Sequence, residues 1–229
     1  MFTKLKKSLA KLARQPDPID PTSFNDPVAL LTEWTPLLKG GGCSFGTHKL
    51  VEIHPDRLEF RASMGARLFG MAFIITGIVI FAAAVLAAPP EDQVEWTTQE
   101  RFFQCVFSVA FFGAGLWLLI HFTRPIVFDR ARGYFWKGRN APTDVFRPEQ
   151  IRFYAELDAI HALQLLVEQV RRSSGGTGSN RTSSYRSYEL NLVLTDGRRI
   201  NVVDHGNVER LIKDAAQLAV FLGKPVWNA

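Results

Sequence analysis

Cysteine is scarce in this chain. Cys43 and Cys105 are the two present among 229 residues, and Cys105 lies inside an apolar run. Both read as free thiols, so the disulfide framework of a small secreted domain is excluded. The spacings H-E-x-x-H and paired C-x-x-C are missing, and the histidines at 48, 54, 121, 161 and 205 are scattered. No metal-ligand set follows from such spacing, and no cofactor is expected. Helix–turn–helix, RNA-binding and zinc-finger patterns are missing as well, so a net charge of +5 does not point to nucleic acid. Residues 1–14, MFTKLKKSLAKLAR, have neither a continuous apolar core nor a small-residue cleavage site, so no secretory leader is expected. No internal repeat is present.

Charge is missing in two places, and that absence says most. Residues 68–88, LFGMAFIITGIVIFAAAVLAA, and residues 102–122, FFQCVFSVAFFGAGLWLLIHF, contain no Asp, Glu, Lys or Arg. A helix rising 1.5 Å per residue needs about 20 apolar residues to cross a bilayer core of about 30 Å. Each run is long enough, and neither has the polar face of a buried helix in a soluble domain. The runs predict a transmembrane hairpin over 66–123, with loop 89–101 between the spans. That loop carries Glu91, Asp92, Glu95 and Glu100 against Arg101, whereas Arg57, Arg61, Arg67, Arg124, Arg130, Arg132, Lys137 and Arg139 flank the hairpin. Basic residues concentrate in segments that stay inside, so both termini are expected in the cytoplasm and the acidic loop outside. Ala66 with Gly70, and Ala110 with Ala114, are small-residue pairs suited to helix packing. Gln104, Ser108 and His121 are the polar side chains of the second span.

Outside the hairpin the pattern alternates. HKLVEI and LEFRA flank a turn-like HPDR, PIVFD and YFWKG flank RARG, and YELNLVL and RRINVV are joined through Asp196-Gly197, a strong hairpin signal. AIHALQLLVEQV fits helix or strand by periodicity and is read as a strand because a strand pair follows. From Val208 the apolar positions recur at helical spacing, with Asn207 as N-cap and Gly223 and Pro225 as stop signals. Residues 15–44, with Pro16, Pro18, Pro21 and Pro27 and then Gly40 to Gly42, read as an extended linker. Residues 171–187, polar and Gly/Ser-rich, read as a mobile loop. Residues 1–14 suit a basic amphipathic helix lying on anionic lipid.

Candidates for chemistry are few. KGGGCSFGTHK, residues 39–49, fails as a phosphate loop because Thr47 stands where the lysine belongs, and a strand follows where a helix is needed. It reads as a hinge into the first strand. Cys43 with His48 lacks a positioned base and oxyanion donors. Asp204-His205-Gly206 falls where a strand turns into the last helix, which favours a turn and cap over an acid/base pair. What remains is binding. Glu91, Asp92, Glu95, Glu100 and Gln104 at the hairpin, and Arg171, Arg172, Arg181 and Arg186 in the basic segment, are the candidate contacts with a protein partner or anionic lipid.

About seven strands closed by one amphipathic helix resemble a pleckstrin-homology-like barrel over residues 45–227. The expected class is thus an α+β membrane protein in which such a barrel (45–65 and 124–227) is interrupted by the hairpin. GGGCSFGTHKLVEI, PIVFDRARGYFWKG, YELNLVLTDGRRINVVDHGN and LAVFLGKPVWN are similar to segments of small bacterial two-span inner-membrane proteins with this domain. Some of those look like immunity proteins against type VI secretion toxins. The resemblance implies a non-catalytic protector that binds a membrane-acting toxin. The alternative is a membrane-tethered scaffold or regulatory subunit of an envelope complex.

Overall fold

The two uncharged runs fold as long helices, α2 over Met64–Leu86 and α3 over Thr98–Phe122, each long and apolar enough to cross a membrane. In the computed structural model, residues 19–37, 46–86, 97–146, 151–173 and 182–228 are described. The chain forms two compact units, 1–60 with 125–229, and Arg61–Arg124.

In the second unit α2 has 23 residues, about 34 Å at 1.5 Å each, which matches a hydrocarbon core. The helices meet along small side chains. A Cβ on Gly77 would lie 2.7 Å from the Phe112 backbone N, and one on Gly115 would lie 2.7 Å from the Ile74 backbone N. A Cβ on Gly70 would strike the Leu119 side chain. At these glycines the two helix backbones approach closely, as small residues allow. The pair Ala110 and Ala114 does not serve it: both are exposed, and a Cβ on Gly113 meets nothing within 4 Å. The packing residues on α3 are Ser108 and Gly115, both buried.

The other unit is α+β. Among the described residues it has nine strands in two sheets, where about seven and a barrel were expected. The five-stranded sheet runs β1 (His48–His54), β2 (Arg57–Ala62), β3 (Ile126–Asp129), β4 (Tyr134–Lys137) and β5 (Tyr154–Glu156) in spatial order. The four-stranded sheet is ordered β8 (Arg199–His205), β7 (Thr182–Leu194), β6 (Ile160–Ser173) and β9 (Val226–Asn228). Strand β9 runs parallel to β6 and follows the helix, where no strand was expected. The hairpin is inserted between β2 and β3, which pair directly, Leu58 opposite Phe128 and Phe60 opposite Ile126.

Between the sheets lies the core. Leu58, Phe60, Phe128 and Phe135 from one sheet meet Ile160, Leu163, Leu190 and Leu192 from the other. Helix α4 (Val208–Leu222) buries Leu211, Ile212, Ala215, Leu218 and Ala219 in the same cluster. Each fully buried Leu, Ile or Phe stabilises the fold by about 1.5–3 kcal/mol, which makes this cluster the main support of the unit. Asn207 caps α4 by accepting the Arg210 N–H at 3.0 Å, and Gly223 ends it at φ 66°. Arg130 reaches from the β3–β4 turn to donate to the Phe221 carbonyl, and its guanidinium stacks 4.2 Å from that ring.

Two expectations change. Of the segment read as an extended linker, residues 19–37 are folded, with a 3-10 turn at Pro21–Phe24 and helix α1 at Pro27–Leu31. Pro21 and Pro27 follow aspartates, and Asp-Pro supplies an N-cap and a preset first helical residue. The segment read as a loop over 171–187 belongs in part to strands: Arg171 pairs with Ser184, Arg172 with Ser183 and Gln169 with Arg186. The expected lipid-binding helix (1–14) and the hinge at Gly40 to Gly42 lie outside the described residues.

Gly115→Ile places side-chain atoms against the α2 backbone, so it lowers hairpin stability by about 1–3 kcal/mol, whereas Gly113→Ile costs nothing comparable. Thermal unfolding of both variants in detergent tests this; equal melting points would refute the packing face.

Candidate functional site

Residues 19–37 form a strap over the outer face of the four-stranded sheet. Asp20 caps the 3-10 turn by accepting the Thr22 N–H at 3.0 Å. Asp26 caps α1 with one oxygen, 2.9 Å from the Val28 N, and meets His161 Nε2 on β6 with the other at 2.8 Å. Burial opposes ionisation of Asp26, but the His161 contact and the Val28 and Ala29 N–H groups outweigh it and hold the carboxyl below its usual range. Ala29 is fully buried against Ala162, Val193 and Trp227. Phe24 and Trp34 stack at 4.8 Å and 6°, and Trp227 lies 5.9 Å from Trp34. The Trp34 indole N–H donates to the Ala29 carbonyl at 3.0 Å.

Beyond this apolar clasp the strap is held through its backbone. Gln164 Nε2 donates to the Glu33 carbonyl at 3.0 Å, and Arg199 Nη1 to the Thr35 carbonyl at 2.7 Å. The Leu37 N–H points at both Glu189 oxygens, 3.0 Å from each. Arg199 also pairs with the Glu33 carboxylate at 3.1 Å; its own side chain is 4% exposed while that of Glu33 is 79% exposed. Asn191 donates to Gln164 and Glu189, but its Oδ1 is buried without a hydrogen-bond partner.

A second polar group adjoins the first. Lys137 Nζ on β4 donates to Asn201 Oδ1 at 3.3 Å, and Asn201 Nδ2 donates to Asp204 at 3.0 Å. Burial lowers Lys137 to about 8 against the pull of Asp204 and Glu189. Burial likewise raises Asp204 to about 6, opposed by the Asn201 hydrogen bond.

No family model matches the chain, and neither a curated protein nor a solved structure matches it.

The residues singled out from sequence fall elsewhere. Glu91, Asp92, Glu95, Arg181 and Cys43 lie outside the described residues. Glu100 forms a capping box with Thr97, accepting that residue's N–H at 2.8 Å. Gln104 is half-buried on α3. His121 is exposed and stacks on Trp117 at 5.3 Å. Arg171, Arg172 and Arg186 are on β6 and β7, past the Leu163–Leu165 stretch that β9 flanks and the Tyr188–Val193 stretch that β8 flanks. His205 does act in the turn: its Nδ1 accepts the Asn207 N–H at 2.8 Å, at the start of α4. Burial, then the neighbouring Arg210, holds it below its ordinary range.

Gln164, Glu189, Asn191 and Arg199 were not foreseen as a group. In Tyr188-Glu-Leu-Asn-Leu the polar positions alternate with the core positions, which in sequence reads as a solvated face. The available signal was the aromatic and aliphatic content of the strap itself, Phe24, Val28, Leu30, Leu31 and Trp34, high for a linker.

Asp204 supplies a test by pH. Its folded value of about 6 stands above the ordinary 3.8, so between those values the folded state keeps a proton that the unfolded chain releases. Stability therefore falls as pH rises through that window. Asp204→Asn removes the effect, and the variant is more stable than the parent at pH 7.5, because the raised value of Asp204 is already net of its attraction to Lys137. Near pH 4 the two proteins melt alike. Melts across that range check the prediction, and a less stable variant at pH 7.5 contradicts it.

Proposed function

We propose that this chain is a non-enzymatic, membrane-anchored binding protein of the bacterial inner membrane, acting as an immunity protein against a membrane-acting type VI secretion toxin. The observation that carries the reading is the insertion of two long apolar helices between paired strands of a folded α+β unit. Such an insertion anchors a domain while leaving its core intact. The unit is read as pleckstrin-homology-like: two sheets, antiparallel apart from the β6–β9 pair, with an amphipathic helix packed into the core between them. Folds of that kind host many functions, so the assignment to immunity rests on the resemblance of the quoted segments, not on the architecture.

Both termini are proposed to be cytoplasmic, with the loop at 89–101 outside. The contacts proposed for the toxin are Glu91, Asp92, Glu95 and Glu100 with Gln104 at the hairpin. Arg171, Arg172, Arg181 and Arg186 are proposed to meet the toxin or anionic lipid, where each basic residue near an anionic surface contributes about 1 kcal/mol. Protection then comes from occupying the surface a toxin uses to insert.

Two experiments bear on this. Alkaline phosphatase fused within 89–101 is expected to be active and a fusion at residue 229 inactive; the reverse pattern overturns the orientation. Co-expression with the product of an adjacent effector gene is expected to restore growth of cells making that toxin. Undiminished killing, with the protein present in the membrane, rejects immunity and leaves the scaffold of an envelope complex, which must then co-purify with its partner.

A further inference from the structure

The strap makes contacts of an unusual kind for a structural segment. Its residues at alternating positions, Glu33, Thr35 and Leu37, offer backbone carbonyl, carbonyl and N–H to the side chains of Gln164, Arg199 and Glu189. Main-chain groups at alternating positions thus meet a surface that reads the backbone, along a run of chain that bends at Thr35 and Leu37. Two side chains add selectivity: the Glu33 carboxylate pairs with the buried Arg199 guanidinium, and the Trp34 ring enters the clasp of Phe24 and Trp227. The Glu33 side chain is itself 79% exposed, so the acidic half of the contact is open to exchange. Beneath lies Asn191, fully buried, with an oxygen that no group on the strap satisfies. A buried acceptor without a donor costs about 1–3 kcal/mol, so the strap is an incomplete occupant of this face.

We infer that the outer face of the four-stranded sheet is a peptide-binding groove for an acidic–aromatic segment of a partner protein, and that residues 33–37 occupy it in cis until displaced. The partner segment presents a carboxylate to Arg199 and an aromatic ring beside Trp227. It directs main-chain groups to Gln164 and Glu189. An additional N–H in the partner reaches Asn191 Oδ1 and favours the exchange. The inference rests on the binding role proposed above, but its test needs no toxin, so the two fail separately.

The test uses the full chain in detergent and a fluorescein-labelled peptide, LLTEWTPL, with the sequence of residues 30–37. The double variant Glu33→Ala/Trp34→Ala loosens the strap and is expected to bind the peptide at least about tenfold tighter than the parent protein, which competes in cis. Adding Arg199→Ala reverses the gain, and a scrambled peptide binds to neither. A loosened variant that retains its melting transition and takes up no peptide overturns the groove. Equal uptake of the scrambled peptide does the same. A doubled mass without peptide uptake means that straps exchange between copies, and it also overturns the partner reading. Should the double variant not fold, hydrogen exchange of the parent protein decides. Amides of Glu33, Trp34, Thr35 and Leu37 are expected to exchange on the order of a hundredfold faster than those of β7, through opening of the strap alone. Equal rates mean that the strap leaves only when the domain unfolds, and they exclude displacement.

Discussion

The pairing of β2 with β3 is the constraint on which the architecture depends. Phe60 opposite Ile126 and Leu58 opposite Phe128 bring together parts of the chain separated in sequence by both apolar helices. Closing a long excursion costs entropy that grows only slowly with length, and a helix hairpin lowers it by returning the chain close to its departure. The same four residues point into the core between the sheets. The ladder and the core therefore reinforce one another: loss of Phe60 or Phe128 weakens the packing and also the closure of the insertion. The helix hairpin associates by other means, through close backbone approach at Gly70, Gly77 and Gly115.

The outer face of the four-stranded sheet obeys a different rule. Gln164, Glu189, Asn191 and Arg199 would each lose several hydrogen bonds to water if covered by apolar groups. The strap covers them with main-chain groups, and most of the loss is recovered. Net gain from such exchanges is about 0.5–1.5 kcal/mol per hydrogen bond, far below what the Phe24–Trp34–Trp227 stack and Ala29 supply by burial. Apolar contacts thus supply the adhesion and polar contacts set the register. Glu189 illustrates the division: its two oxygens converge on one N–H, that of Leu37, and Oε1 also accepts from the Asn191 amide, which fixes where the strap lies along β7.

Much of this was legible in the sequence where the signal is local. The spans are written as runs without charge, and the β7–β8 turn as Asp196-Gly197, with Gly197 at φ 81°. The last helix is written as a period of 3.6 between Asn207 and Gly223. These features need no knowledge of the rest of the chain. In composition Pro21 and Pro27 argue for an extended linker, whereas Asp20-Pro21 and Asp26-Pro27 are helix starts. Its serines and glycines make the basic segment look like a loop in sequence, but the β6–β7 ladder carries pairing out to Ser173 and Thr182. The polar face was missed for a deeper reason. An exposed face and a face covered by polar backbone have the same alternation, and only the tertiary position of the strap separates them.

That distinction also explains where the titratable groups went. His205, the histidine beside Asp204, is bound to the Asn207 N–H, and Glu100 to its own helix terminus. Asp204 and Lys137 share Asn201 as a neutral bridge, and both are shifted by burial in the direction that disfavours charge. A direct ion pair would satisfy them better in isolation. The amide instead keeps the two charges apart and holds β4 of one sheet to β8 of the other. Buried polar groups of this kind contribute little net stability, and their value lies in the single arrangement they permit. The two sheets are thereby fixed relative to each other at the edge of the strapped face. A face that reads backbone groups at alternating positions needs that rigidity, since Gln164, Arg199 and Glu189 come from three different strands and recognise a peptide only while their spacing holds.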